Sequence, residues 1–139
     1  MNNPENYPTW LVPLDIAKEL KEIGFNENCH FYWDNHLNLV DCYDNENGYP
    51  DLEGYNSNKH QIKYSLPTWT EVFAWFRARG LHYTIRYLLA HKLHFYAINE
   101  TYYLKNKGSG IYDTYEEAQK ECVKALIKTY KNELEKNNL

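Results

Sequence analysis

The chain marks the boundaries of its own helices. Thr68-Trp-Thr-Glu71 and Thr114-Tyr-Glu-Glu117 each place Thr three residues before Glu. At that spacing the two side chains satisfy, reciprocally, backbone donors that a helix start leaves free. An apolar run with helical periodicity follows each box. Trp69, Val72, Phe73 and Phe76 make the first stripe, Trp75 lies off it, and the helix runs to Arg79 before Gly80 stops it. Tyr115, Ala118, Cys122, Ala125, Leu126 and Thr129 gather on the inner side of a longer helix that reaches about residue 135. A third helix spans residues 12–23, where Val12, Ile16, Leu20 and Ile23 fall within about 80° on a helical wheel. Pro13 suits its first turn, Gly24 its left-handed stop, and Phe25 then folds back onto the apolar face.

Strand signals fill the intervals. Cys29-His-Phe-Tyr-Trp33 and His36-Leu-Asn-Leu-Val-Asp41 flank Asp34-Asn35, which reads as a two-residue hairpin turn. That turn puts Cys29, Phe31, Trp33, His36, Asn38 and Val40 on one face, with His30, Tyr32, Leu37 and Leu39 on the other. Residues 42–66 carry turn chemistry and acidic residues, and Ile62, Tyr64 and Leu66 alternate as a short edge strand. From Leu81 to Leu104, Tyr83, Ile85, Tyr87 and Leu89 alternate with His82, Thr84, Arg86 and Leu88, with turns at 90–92 and 99–101. The order predicts an α+β fold, one domain over residues 1–139, with helices packed on one antiparallel sheet and a variable acidic loop at 42–62. Helix, glycine, apolar residue and hairpin recur about 56 residues apart, as Gly24-Phe25 and Gly80-Leu81.

Composition narrows the class. The chain has 139 residues, 43% of them hydrophobic, which is enough for a core. No apolar stretch approaches the roughly 18 to 20 residues of a membrane span, and Met1-Asn-Asn-Pro-Glu5 lacks the pattern of a secretory leader. The expectation is a cytoplasmic protein. Cys29, Cys42 and Cys122 are too widely spaced for a zinc or disulfide framework and read as ordinary thiols. Residues 1–66 hold 11 acids and 4 bases, net −7, whereas 67–139 hold 8 acids and 11 bases, net +3. That asymmetry falls short of a nucleic-acid binder's basic footprint. Tyrosine is abundant at 14 and asparagine at 16. Both have A/T-rich codons, so the excess has either a genomic origin or a role in binding, where tyrosine combines large area with a polar handle.

Three blocks carry a family resemblance: residues 12–25, residues 67–77, and Asp113-Thr-Tyr-Glu-Glu-Ala118 followed by Cys122 and a Leu-bearing helix. Together they resemble small proteins encoded by phages, prophages and mobile elements of gut Bacteroidales. The resemblance touches most of the chain outside 42–62. It implies an accessory protein made inside a bacterial cell, of the kind that acts on the host or its defences. Its blocks are helix starts and core faces, so it brings a fold and no catalytic residues.

The reactive residue types form weak constellations. His91-x-x-His94 has a spacing seen in metal sites, but it falls in a turn and strand start with no third ligand nearby. Surface or packed histidine is the stronger reading, and neither metal nor cofactor is expected. Cys29 and His30 are strand neighbours facing opposite ways, and Cys122 sits on an inner helix face, so neither suits a nucleophile. Lys105, Lys107, Gly108 and Gly110 lie before a capped helix start, where a phosphate or a small nucleotide could be received. The flanking Asp113, Glu116 and Glu117 compete with such an anion. Lys120, Lys124, Lys128 and Lys131 line one side of the last helix and read as its solvated face. The strongest candidates for protein binding are Tyr43, Tyr49 and Tyr55 of the acidic loop, with Trp75. The leading expectation is a non-enzymatic module that binds a host protein. The alternatives are a protein that binds and sequesters a small molecule or nucleotide, and an enzyme using histidines such as His82 or His94.

Overall fold

A computed structural model describes residues 7–34, 38–41, 54, 56–99, 101–102 and 111–137. The fold is α+β, with three α-helices and two antiparallel sheets among the described residues. The chain divides into two compact units, residues 1–71 and 72–139.

In the first unit α1 (Leu14–Glu22) starts at Pro13, whose extended backbone (φ −69°, ψ 162°) forms the N-cap. It buries Leu14, Ile16, Ala17 and Leu20. Gly24 ends it in the left-handed region at φ +95°. The Gly24 N–H donates to the Lys21 carbonyl (3.2 Å) and the Phe25 N–H to the Leu20 carbonyl (3.0 Å). That pair of bonds is a Schellman cap, and it turns Phe25 back into the core. The sheet of this unit has the order β2-β1-β3, from β1 (Phe31–Trp33), β2 (Leu39–Asp41) and β3 (Tyr64–Ser65). As expected, β3 is an edge strand.

The first hairpin departs from the two-residue turn expected at Asp34-Asn35. Its register pairs Phe31 with Asp41, Tyr32 with Val40 and Trp33 with Leu39. The Asp34 N–H donates to the Asn38 carbonyl (3.1 Å), and Asp34 Oδ1 accepts the Asn38 N–H (2.9 Å). Those two bonds close a longer loop between Asp34 and Asn38. An odd shift in register exchanges the faces of β2. Leu39 therefore lies on the face of Trp33, and Val40 joins Tyr32, the reverse of the expected assignment.

The end of the acidic loop is tied down by Asn58, which follows a short 3-10 turn start at Ser57. Asn58 Nδ2 donates to the Phe25 carbonyl (2.8 Å), and its Oδ1 accepts the Ser65 N–H (2.8 Å). One amide thus joins the end of α1 to β3. Lys21 adds a second tie, donating from Nζ to the carbonyls of His60 and Lys63 while lying 4.8 Å from the Tyr64 ring centroid. The segments leading into α1 and α2 (Trp69–Arg77) also pair, through a Leu11–Thr68 bridge and a Val12 N–H to Pro67 carbonyl bond of 3.0 Å.

The Thr68 capping box forms as expected at the start of α2. The Thr68 N–H donates to Glu71 Oε1 (2.9 Å), and the Glu71 N–H to Thr68 Oγ1 (3.2 Å). Its C-terminus repeats the cap of α1 at an offset of 56 residues. The Gly80 N–H donates to Arg77 and the Leu81 N–H to Phe76, both at 3.0 Å, with Gly80 at φ +82°.

The second unit carries β4 (Tyr83–Leu88), β5 (Leu93–Ile98), β6 (Thr101–Tyr102), β7 (Ile111–Tyr112) and α3 (Tyr115–Asn137). β4 pairs with β5, and both β6 and β7 pair with the other side of β5. The expected single sheet is instead two. Both sides of β1 are taken by strands of only two or three residues, which ends the first sheet there. The strand β7 was not expected from the sequence. α3 begins where expected: the Glu117 N–H donates to Thr114 Oγ1 (3.1 Å), and Ala118, Cys122, Val123, Leu126 and Ile127 are buried. Tyr115, expected on that inner side, is 42% exposed. No helix among the described residues is long and apolar enough to cross a membrane.

Removing a half-buried amide that makes two such bonds leaves a backbone donor and a carbonyl without their partner, at about 1–3 kcal/mol. Asn58→Ala should therefore lower the free energy of unfolding by that amount, read as a lower urea midpoint at unchanged slope. A midpoint equal to wild type would contradict the tie.

Candidate functional site

The residues singled out for binding fall into three groups. Tyr43, Tyr49 and Tyr55 lie outside the described residues, as do Lys105, Lys107, Gly108, Gly110 and Cys42. Trp75 is described, and it is not a surface residue: only 4% of it is exposed. Its ring meets Tyr130 of α3 edge-on at 5.3 Å. The Arg79 guanidinium lies 3.6 Å from the ring centroid and donates from Nη1 to the Trp75 carbonyl at 3.0 Å. The buried arc of α2 is thus wider than the four-residue stripe, because α3 supplies an aromatic partner for the position beside it.

The reactive side chains are placed in packing roles. Cys29 is buried, with Sγ 3.7 Å from the Glu27 carbonyl. Cys122 is fully buried in α3, and burial pushes its thiol up to about 12, which disfavours the thiolate a nucleophile requires. His91 is exposed in the β4–β5 turn, whereas His94 sits between two tyrosines. The described residues include no cluster of three or more His, Cys, Asp or Glu able to hold a metal ion.

What the second unit does present is a row of aromatic side chains. Tyr87 of β4 and His94 of β5 are directly opposite in register, with ring centroids 4.9 Å apart. Tyr115, the first residue of α3, meets His94 edge-on at 6.1 Å. His94 is also opposite Tyr112 of β7, whose ring lies parallel to that of Tyr96 at 6.3 Å. Four elements, β4, β5, β7 and α3, therefore contribute to the row. Tyr87 is 49% exposed, and Leu89, in the adjoining turn, is 78% exposed. Burial, followed by the neighbouring Tyr83, Cys122 and Glu116, raises the Tyr115 hydroxyl above the ordinary tyrosine range, so it stays a neutral hydroxyl at physiological pH.

Sequence reasoning missed this row. The alternation of β4 shows that Tyr83, Ile85 and Tyr87 share a face, but not where the cover over that face ends. The available signal was position: Tyr115 directly follows the capping Thr114, so it occupies the helix's first turn.

In the first unit Trp10 is half exposed and meets Phe31 edge-on at 5.2 Å. Lysines sit over two of its other aromatic rings, Lys63 over Tyr32 at 4.8 Å and Lys18 over Tyr64 at 5.6 Å. Those contacts cover the rings with their own lysines, which makes this surface more self-contained than the row on the second unit.

Compared with known protein families, with curated proteins and with solved structures, the chain matches none.

Two measurements check these assignments. Trp75→Ala should destabilise the fold by about 3–5 kcal/mol, the usual loss for a large aromatic in a core. A thermal melt unchanged from wild type would return Trp75 to the surface. Cys29 and Cys122 should resist iodoacetamide at pH 8 until denaturant is added, as followed by intact mass. Rapid native labelling of Cys122 would contradict its burial.

Proposed function

We propose that the chain is a non-enzymatic protein-binding module, an accessory factor of the phage or mobile-element type that acts on a host protein in the bacterial cytoplasm. The origin and the cellular setting come from the sequence resemblance. The observation that carries the binding role is the pair of Tyr87 and Tyr115 rings set on His94, with the exposed Leu89 in the adjoining turn. Interface centres are enriched in tyrosine because it brings large area with few rotatable bonds and a hydroxyl that can find a partner. Here the rings are already held by neighbours: Tyr87 by its register partner His94, and Tyr115 by the helix start and the same histidine. Little side-chain freedom remains to be lost on docking, which favours affinity. Leu89 adds an aliphatic group whose burial is worth about 1.5–3 kcal/mol.

The test is capture from a Bacteroidales lysate by the tagged chain, read by native mass spectrometry, for wild type and for Leu89→Ser with Tyr115→Ala. Both positions are substantially exposed, so the double variant should melt close to wild type. The expected result is a stoichiometric protein partner with wild type and at least a tenfold loss of it with the variant. Equal capture by the two proteins would contradict the assignment. The same assay on Tyr43→Ala, Tyr49→Ala and Tyr55→Ala tests the acidic loop singled out by the sequence.

A further inference from the structure

β4 is unlike the other sheet edges. Among the described residues no strand pairs with its outer side, since the sheet runs from β4 through β5 to β6 with β7 also on β5. The strands β2, β3, β6 and β7 have only two or three residues each. β4 has six, in unbroken register with β5 from Tyr83–Ile98 to Leu88–Leu93. Edges are protected from pairing with other chains by shortness, proline, bulges or inward-facing charge. β4 is neither short nor interrupted by proline or a bulge, and the exposed Arg86 is its one formally charged residue.

The phase of its backbone is set by the pairing with β5. The Asn99 N–H donates to the His82 carbonyl (2.9 Å), which makes residues 82 and 99, directly opposite in this register, a hydrogen-bonded pair. The hydrogen-bonded positions are therefore His82, Thr84, Arg86 and Leu88. The N–H and C=O groups of Tyr83, Ile85 and Tyr87 point away from β5, along the open edge.

We propose that a second copy of this chain pairs antiparallel with β4 about a two-fold axis at Ile85, joining the two four-stranded sheets into one. The choice of occupant rests on self-complementarity. In this register Ile85 faces the partner's Ile85, Tyr83 faces the partner's Tyr87, and Thr84 faces the partner's Arg86. Aromatic pairs across strands are favourable, and the exposed Tyr87 ring gains one. The neighbouring two-fold register, centred on Arg86, would oppose two guanidinium groups. The one centred on Thr84 would bring Arg86 against the partner's His82. Only the Ile85 register overlaps residues 82–88 completely and sets each arginine against a hydroxyl, and each of its contacts off the axis occurs twice, as an isologous interface requires. The pairing shares Tyr87 with the surface proposed above but uses neither Leu89 nor Tyr115, so Leu89→Ser with Tyr115→Ala tests that surface without touching the pairing, and substitutions at Thr84 test the pairing without touching that surface.

Sedimentation equilibrium on the full chain, over a wide range of concentration, tests the pairing. The wild-type mass should rise from 16.7 kDa toward twice that value. Thr84 is exposed, so charge there leaves the fold intact, as circular dichroism would verify. Thr84→Glu places a carboxylate opposite the partner's Arg86 at two points and should tighten association severalfold, an effect that high salt erases. Thr84→Lys should weaken it severalfold. Ile85→Pro removes an N–H that the β4–β5 ladder does not use and should abolish association. A monomer at every concentration would overturn the proposal. So would an oligomer whose stability does not move in opposite directions with Glu and Lys at position 84.

Discussion

The stacking of Phe73 on Tyr83, with ring centroids 3.7 Å apart and planes 18° from parallel, sets the parity of the second unit's sheet. With Tyr83 turned toward α2, strand alternation carries Ile85 and Tyr87 to the same face and sends Thr84 and Arg86 to the other. The register with β5 then brings Ile98, Tyr96 and His94 opposite those three residues. Cover thins along the strand: Tyr83 and Ile85 are half-buried, and Tyr87 is exposed. A slip of one residue would reverse every assignment, placing Arg86 where Tyr87 now meets His94. The aromatic row and the outward-facing backbone of β4 both descend from this one contact.

The features that sequence reasoning reached are those whose hydrogen bonds close within a few residues. The Thr68–Glu71 box spans three residues, and the caps at Gly24 and Gly80 each span five. Helix starts and stops were legible for that reason, and with them the α+β class. The features it missed depend on partners far along the chain. Trp75 is buried because Tyr130, 55 residues later, packs against it. β7 is two residues long and exists through its pairing with His94 and Phe95. The first hairpin lies between these cases. Its turn residues are visible in the sequence, but the Asp34 side chain chooses Asn38 as its partner, and that choice lengthens the loop and moves the register.

The same division holds for the candidate site. Residue types alone suggested thiol, imidazole and lysine chemistry. Folding assigns Cys122 to the α3 core, where burial works against the thiolate, and wedges His94 between Tyr87 and Tyr115. Trp75, the expected surface anchor, holds α2 to α3 with Arg79 stacked on its ring. The tyrosine excess is then partly accounted for by packing: Tyr83 against Phe73, Tyr130 against Trp75, and Tyr112 against Tyr96. Tyr87 and Tyr115 keep substantial exposure beyond these contacts, and their position on rigid elements rather than in a loop is what suits them to the docking role proposed above.

The most direct test of that surface is amide hydrogen exchange of the chain, alone and saturated with the captured partner. A partner seated on the aromatic row slows exchange at Tyr87–His94 and at the first turn of α3, leaving α1 and β1 at their free rates. Protection confined to the first unit, with 87–94 and 115–118 exchanging as in the free protein, would contradict the account.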